Sequence, residues 1–105
     1  MALGMIECFG FVTSIVVADK AAKTAPVEIV AIDKNKPANA EKCEVPLVMV
    51  VKIEGDVASV EAATMAGVDE AKKRGMYSTH KISPRQSEEI EWFARLTALG
   101  RNSTI

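Results

Sequence analysis

Glycine and proline residues divide this chain into short segments, and their positions constrain the fold more than any other feature. Gly10, Gly55 and Gly75 each fall where an apolar or periodic segment ends, which is a common place for residues that interrupt regular structure. Pro26 prevents the helix before it from continuing, because proline lacks the backbone donor that a helix interior needs. The segments predict, in order, a strand at 2–10, a helix at 11–24, strands at 27–32 and 47–53, a helix at 57–74, a strand at 76–83 and a helix at 87–99.

This order of elements indicates an α+β domain with an antiparallel hairpin in its middle. The two central strands follow each other without a helix between them, so we expect them to pair antiparallel. The chain has 105 residues, of which 49% are apolar, enough for one domain with one compact core. At this size a monomer is only modestly stable, and oligomerisation would help.

Apolar periodicity predicts which side of each helix is buried. In the first helix, the expected buried face consists of Val12, Ile15, Val16 and Ala22. In the second helix, it consists of Val57, Val60, Ala63, Thr64, Val68 and Ala71. Asp56 is expected to cap the second helix at its N-terminus. Both central strands are rich in β-branched apolar residues, which predicts burial on both faces.

The charge pattern argues against nucleic acid and membrane partners. The net charge is −1, from 13 basic and 14 acidic residues, and no basic run occurs that would bind phosphates. The longest apolar stretch, LVMVV, is far too short to span a bilayer. The N-terminus has no basic start, so we read no signal peptide and expect a cytosolic protein. Thiols stay reduced there, and Cys8 and Cys43 are therefore expected to be free or metal-bound rather than paired.

Residues that could support catalysis are sparse, and we predict that the chain is not an enzyme. The single histidine, His80, lies in a predicted strand with no obvious acid or thiol beside it, which favours a hydrogen-bonded structural histidine. The acidic residues are scattered over helix surfaces, and no GxGxxG or P-loop motif occurs. Cys8 lies beside Phe9 in the first strand and is expected in the core.

Four stretches resemble the shell proteins of bacterial microcompartments: ALGMIE at 2–7, VEIVAID at 27–33, GDVASVEAATMAGVDEAKKRG at 55–75 and HKISPRQ at 80–86. They occur in the family's order and close to its spacing. The resemblance implies the BMC-domain fold, an α+β sandwich in which helices pack on an antiparallel sheet. It also implies cyclic homohexamers that tile with other shell proteins into a shell in the bacterial cytoplasm. The shell encloses enzymes, and the hexamer's central pore passes small metabolites.

On this basis residues 1–87 form the shell domain, with an enlarged pore loop at 34–46, and residues 88–105 form a C-terminal helical extension. The extension carries an apolar stripe at helical spacing, made of Trp92, Phe93, Leu96 and Leu99. Such a stripe predicts packing on its own domain or on a neighbouring subunit. The alternative is a docking patch for lumen enzymes at residues 88–99.

The resemblance also assigns two contacts between hexamers. The stretch ADKAAK places the family's edge lysine at Lys23, which meets its mate across a two-fold contact. The stretch SPRQ places at Arg85 the arginine that reaches into the neighbouring hexamer. From the residues alone, each would be a solvated surface charge.

The polar stretch KPANAEKCEVP at 36–46 is where the sequence departs from the family. The family's pore loop is very short and rich in Gly and Ser, whereas this one is longer, has Pro37 and Pro46 near its ends, and contains Cys43. A ring of subunits would place one Cys43 thiol per subunit around the pore, and a 4Fe–4S cluster needs about four thiolates. Some shell proteins bind an iron–sulfur cluster at a pore cysteine, and glycyl-radical-type compartments include members with unusual pore loops.

Two further interpretations of the loop stay open. Cys43 could instead be a small apolar residue packed under the loop, or an exposed thiol. Its neighbours Lys42 and Glu44 argue against deep burial, and Lys42 would favour the thiolate. Without any metal, Glu41, Lys42 and Glu44 repeated around the axis could form a charged collar that narrows the pore and sets its selectivity.

Two other function classes suit a compact α+β chain of this size. One is a small oligomeric regulatory protein that binds a metabolite at clefts between subunits. The other is a small enzyme of ferredoxin-like build with its site at an oligomer interface. Assembly into hexamers that form sheets would separate a shell protein from both.

Overall fold

The computed structural model describes residues 1–34 and 47–85, which contain four strands and two helices. In chain order these are β1 (Ala2–Phe9), α1 (Phe11–Thr24), β2 (Glu28–Lys34), β3 (Val48–Gly55), α2 (Val57–Lys73) and β4 (Tyr77–Ser83). The predicted order is confirmed over these residues, with boundaries that differ by about two residues at most. The helix predicted at 87–99 lies outside the described residues.

The four strands form one antiparallel sheet in the order β2-β3-β1-β4. The central strand β1 pairs with β3 from Ala2 opposite Gly55 to Phe9 opposite Val48, and it pairs with β4 along its other side. The predicted hairpin is formed by β2 and β3, and Lys34 lies opposite Met49 at the end that the loop connects. The α+β class with an antiparallel sheet is therefore confirmed.

Both helices pack on one face of the sheet. Alternate residues of β1 point to that face, where a Cβ at Gly4 would collide with Thr64 of α2. Gly67 of α2 lies so close to Ile6 that an added Cβ would be 2.6 Å from Ile6 Cδ1. This close approach encloses a core of Ala2, Ile6, Cys8, Val17, Ala18, Ala21, Met49, Val51, Ile53, Val60, Ala63, Val68 and Ala71.

The predicted ends of α2 are confirmed. The backbone N–H of Ser59 donates to Asp56 Oδ1 at 2.9 Å, and this hydrogen bond holds the pKa of Asp56 below its usual value. Lys72 and Lys73 lie in the last turn, where cations interact favourably with the helix dipole. Gly75 follows with a φ of 66°, a left-handed conformation that commonly ends helices. No helix within the described ranges is both long and apolar enough to cross a membrane.

The predicted buried face of α1 is wrong. Val12 and Ile15 are 71% and 46% exposed, Ala22 is exposed as well, and Val16 is only half-buried. The buried residues of α1 are Ser14, Val17, Ala18 and Ala21.

Small side chains explain this choice of face in α1. Val17 of α1 lies against Gly67 of α2, and the other buried residues of α1 are small, which allows a helix to pack closely on its neighbours. The hydroxyl of Ser14 donates to the backbone carbonyl of Phe11, so its burial leaves no unpaired donor. Periodicity could not select the correct face because α1 carries apolar residues on two sides.

Two smaller predictions of burial are also wrong. Val57 is 41% exposed, although the rest of the predicted stripe of α2 is buried. β2 is not buried on both faces, since only Ala31 and Asp33 of that strand are buried. Within the described sheet β2 is an edge strand, and one of its sides therefore has no neighbouring strand to cover it. β3, which lies inside the sheet, is largely buried as predicted.

Candidate functional site

The two ends of the enlarged loop come together at one end of the sheet. The chain leaves β2 after Lys34 and returns at Leu47, just before β3. The backbone N–H of Gly10 donates to the carbonyl of Leu47 at 2.6 Å, which ties the start of α1 to the end of the loop. Glu41, Lys42, Cys43 and Glu44 lie outside the described residues, so their roles stay predictions.

A buried ion pair lies beside the base of this loop. Lys52 Nζ and Asp33 Oδ2 are 2.6 Å apart, and the two side chains are only 3% and 4% exposed. Asp33 is the last residue but one of β2, and Lys52 lies on the neighbouring strand β3. Asp33 Oδ1 has no hydrogen-bond partner among residues 1–34 and 47–85. A charge pair this well shielded links the two strands that carry the loop.

Sequence reasoning missed this ion pair, although one signal was present. Lys52 interrupts the apolar run of β3, LVMVVKI, and a lysine in a strand that is otherwise buried requires a carboxylate partner. β2, which pairs with β3 in the hairpin, carries such a carboxylate near the loop, at Asp33. The strand register was therefore needed before the partner could be named.

Cys8 is buried in the core, as predicted. Burial and the nearby charge of Glu7 raise the pKa of the Cys8 thiol to about 11. Only a very small fraction is thiolate at neutral pH, and thiolate is the form that binds metals. Within the part of the chain that the structure describes, no group of three or more His, Cys, Asp or Glu side chains could hold a metal ion.

His80 is a hydrogen-bonded strand histidine, as predicted. Tyr77 Oη and His80 Nδ1 lie 2.7 Å apart. The ammonium of Lys72 lies over the Tyr77 ring, 5.1 Å from its centroid, a distance at which a cation is attracted to the ring face. These local contacts give His80 a structural role.

Lys23 and Arg85 both lie on the surface, where the predicted contacts between hexamers require them. Lys23 Nζ is 2.8 Å from Asp19 Oδ2, in an exposed pair one helical turn apart. Such a pair contributes at most about 1 kcal/mol to stability, so Lys23 is not needed for folding. Arg85 is exposed as well. Contact of either residue with a neighbouring hexamer stays a prediction.

The outer side of α1 exposes three large apolar residues. Phe11, Val12 and Ile15 are 56%, 71% and 46% exposed, and all three lie in the first half of the helix. α1 packs against α2 and over β3 and β2, while α2 covers β1 and β4. The outer side of α1 therefore lies on the β2 flank of the subunit. A helix that is apolar on two sides is typical of one covered on both.

The matches to known proteins agree with this architecture. The chain belongs to the BMC domain family, which matches residues 2–86. It is 36% identical over 88 residues to the bacterial microcompartment shell protein PduK of Citrobacter freundii, and this match covers 84% of this chain and 51% of PduK. It is 33% identical over 94 residues to the carboxysome shell protein CcmK2 of Synechococcus elongatus, covering 88% of this chain and 83% of CcmK2.

A solved structure shows the same fold. A microcompartment protein from Desulfitobacterium hafniense DCB superposes with a TM-score of 0.71 at 36% identity, over 87% of this chain and 47% of the other. The chain thus spans about half the length of that protein and of PduK. The resemblance to microcompartment shell proteins is confirmed.

The buried ion pair gives a first test of how the loop is held. Lys52→Met leaves the carboxylate of Asp33 buried without its cation and should lower the free energy of unfolding by about 3–5 kcal/mol. Asp33→Leu combined with Lys52→Met removes both charges and should recover most of that loss. Urea unfolding of the wild type and the two variants measures both quantities. A single variant as stable as the wild type would show that the pair does not hold the strands.

Proposed function

We propose that this chain is a structural shell protein of a bacterial microcompartment. It forms cyclic homohexamers that tile with one another and with other shell proteins into a shell in the bacterial cytoplasm. The observation that carries this proposal is the BMC domain match over residues 2–86, because the relatives reported above are named as shell proteins. The metabolite-binding regulator and the small enzyme are less well supported, since no relative reported above is named as either.

The exposed side of α1 supports assembly. In the proposed ring the loop faces the six-fold axis and Lys23 lies at the rim. The hydrogen bond from Gly10 to Leu47 places the first turn of α1 beside the loop, and Lys23 lies in its last turn. α1 then runs from near the axis towards the rim, and its outer side faces the next subunit. Phe11, Val12 and Ile15 would be buried in that contact, which joins different surfaces of the two subunits, as cyclic rings require.

The contact along α1 can be tested with a single charge. Ile15→Glu should convert the hexamer to monomers, because a buried carboxylate without a partner costs several kcal/mol at every contact of the ring. The monomer should keep its fold, since Ile15 is half exposed in the isolated chain. Light scattering measures the mass, and circular dichroism checks the fold.

A matched control is available on the same helix. Lys20→Glu changes an exposed residue roughly 140° around the helix axis from Ile15. The measured mass of this variant should remain that of a hexamer. If the Ile15→Glu variant retains the wild-type mass, α1 does not take part in the contact between subunits.

The predicted contacts between hexamers are tested separately. Lys23→Ala and Arg85→Ala should each leave the hexamer intact and prevent it from forming extended flat layers, because both side chains are exposed and neither belongs to the core. Electron microscopy of concentrated protein detects the layers. Lys20→Ala removes another exposed lysine of α1 and serves as the control. Loss of the hexamer itself in either variant would contradict the assignment to the rim.

The enlarged loop at 34–46 suggests a modified pore, with two candidate roles. The first is an iron–sulfur cluster held by Cys43 from several subunits. Cys8 does not suit this role because it is buried and its pKa is raised, which leaves Cys43 as the candidate ligand. A six-fold ring supplies one Cys43 thiol per subunit, whereas a 4Fe–4S cluster needs about four thiolates. Some thiols would therefore stay free, or the ring would distort. The second role is the collar of Glu41, Lys42 and Glu44, which would set the charge of the pore.

The two roles of the loop predict different spectra. If Cys43 holds a cluster, protein purified without oxygen should be brown and contain iron, with the broad visible absorption of sulfur-to-iron charge transfer. Cys43→Ser should remove colour and iron but leave the hexamer intact, and Cys8→Ala should keep both. Protein that stays colourless and free of iron after anaerobic reconstitution would leave the charged collar as the role of the loop.

A further inference from the structure

Large apolar side chains are exposed in two places within the part of the chain that the structure describes, apart from Met1 at its start. The first is the outer side of α1, described above. The second consists of Val57, Met65 and Met76, which are 41%, 42% and 41% exposed. Val57 and Met65 belong to α2, and Met76 follows that helix closely. We call these three residues the α2 flank.

The α2 flank lies on the β4 side of the subunit. Met65 and Lys72 are seven positions apart, which places them on the same side of a helix. The ammonium of Lys72 lies over the ring of Tyr77 in β4. Gly67, which lies against Val17 of α1, is about 160° from Met65 around the helix axis. Met65 therefore points away from α1 and towards the edge formed by β4.

The two apolar surfaces thus lie on opposite sides of the subunit. The strand order β2-β3-β1-β4 places β2 and β4 at the two edges of the described sheet, and the outer side of α1 lies on the β2 flank. In a closed ring of identical subunits, one side of each subunit meets the opposite side of the next, so two different surfaces must match. An apolar surface on each side satisfies this requirement.

The two surfaces also match along their length. Phe11 begins α1 directly after β1, and the backbone N–H of Phe9 donates to the carbonyl of Met76 at 2.8 Å. Phe11 and Met76 therefore lie at the same end of the sheet, the end where the loop between β2 and β3 is attached. Ile15 and Met65 both lie further from that end. With the loop at the ring axis, each pair falls at a similar distance from the axis.

The side chains on the two surfaces are chemically suited to each other. Methionine is flexible and can adapt its shape to a partner, and its sulfur makes favourable contacts with aromatic rings. Phe11 offers such a ring on the outer side of α1, at the end of the subunit where Met76 lies. Contact would remove apolar surface from water on both subunits, which favours association.

We propose that the α2 flank of one subunit binds the outer side of α1 of the next subunit, with Met76 near Phe11 and Met65 near Ile15. The partner of this surface is a second copy of the chain. This inference rests on the proposed hexamer and specifies the surface that α1 contacts within it. It gives Met65 and Met76 a role in assembly that the fold of a single subunit does not require.

Oxidation of methionine by hydrogen peroxide tests the contact without changing the α2 flank, because the rate depends on the exposure of the sulfur. In the wild-type hexamer, Met65 and Met76 should be oxidised several-fold more slowly than in the Ile15→Glu monomer, as measured by mass spectrometry of peptides. The Lys20→Glu hexamer should protect both methionines as the wild type does. Met49, which is 2% exposed, should react slowly in every variant, which checks that the core is intact.

A pair of opposite charges tests the contact from both sides. Met65→Arg should dissociate the hexamer by itself, because the contact would bury an unpaired charge. A mixture of the Met65→Arg and Ile15→Glu proteins should regain the mass of a hexamer. In a ring of alternating subunits, each contact then has either the wild-type residues or a paired arginine and glutamate. Light scattering measures the mass of each protein and of the mixture.

Several results would overturn this inference while the wild type remains a hexamer. Equal oxidation rates of Met65 and Met76 in the hexamer and the monomer would show that the α2 flank is open in the ring. Protection found only in extended layers would assign this flank to contacts between hexamers. A Met65→Arg variant that stays hexameric, an Ile15→Glu variant that stays hexameric, or a mixture that stays dissociated would show that the two surfaces do not meet. A wild-type protein that is not a hexamer would instead contradict the proposed shell function.

Discussion

The close packing of α2 on β1 is the contact on which the rest of the structure depends. Gly67 lies against the side chain of Ile6, and Gly4 lies against the side chain of Thr64, so only one of the two elements contributes a side chain at each contact. α1 then packs beside α2, where Val17 lies against Gly67. The large apolar residues of α1 are left on the outer flank. Tight packing inside the subunit thus creates the surface that the proposed ring would bury.

The element order could be read from the sequence because glycine, proline and capping residues mark every boundary in the described part of the chain. Burial was predicted less well, and α1 shows why. Hydrophobic periodicity identifies an apolar side but not its partner, and Val12 and Ile15 suit a neighbouring subunit as well as a core. The ion pair was missed because Lys52 and Asp33 lie on different strands, and only the register brings them together. The family resemblance supplied the edge residues, which no local pattern distinguishes from solvated charges.

Two surfaces of one small domain would then have separate tasks. The α1 flank would join subunits, and the loop end would face the ring axis. The ion pair between Lys52 and Asp33 lies beside the base of the loop. A long loop can vary in sequence, and acquire a residue such as Cys43, without loss of the fold when the strands beneath it are held independently.

The central claim is that this chain assembles as a closed ring of six subunits. Electron microscopy of single particles of the wild-type protein, followed by averaging of the top views, tests it directly. The account predicts rings with six-fold symmetry and a central pore. Particles with two-fold, three-fold or four-fold symmetry, or monomers at micromolar concentration, would contradict it.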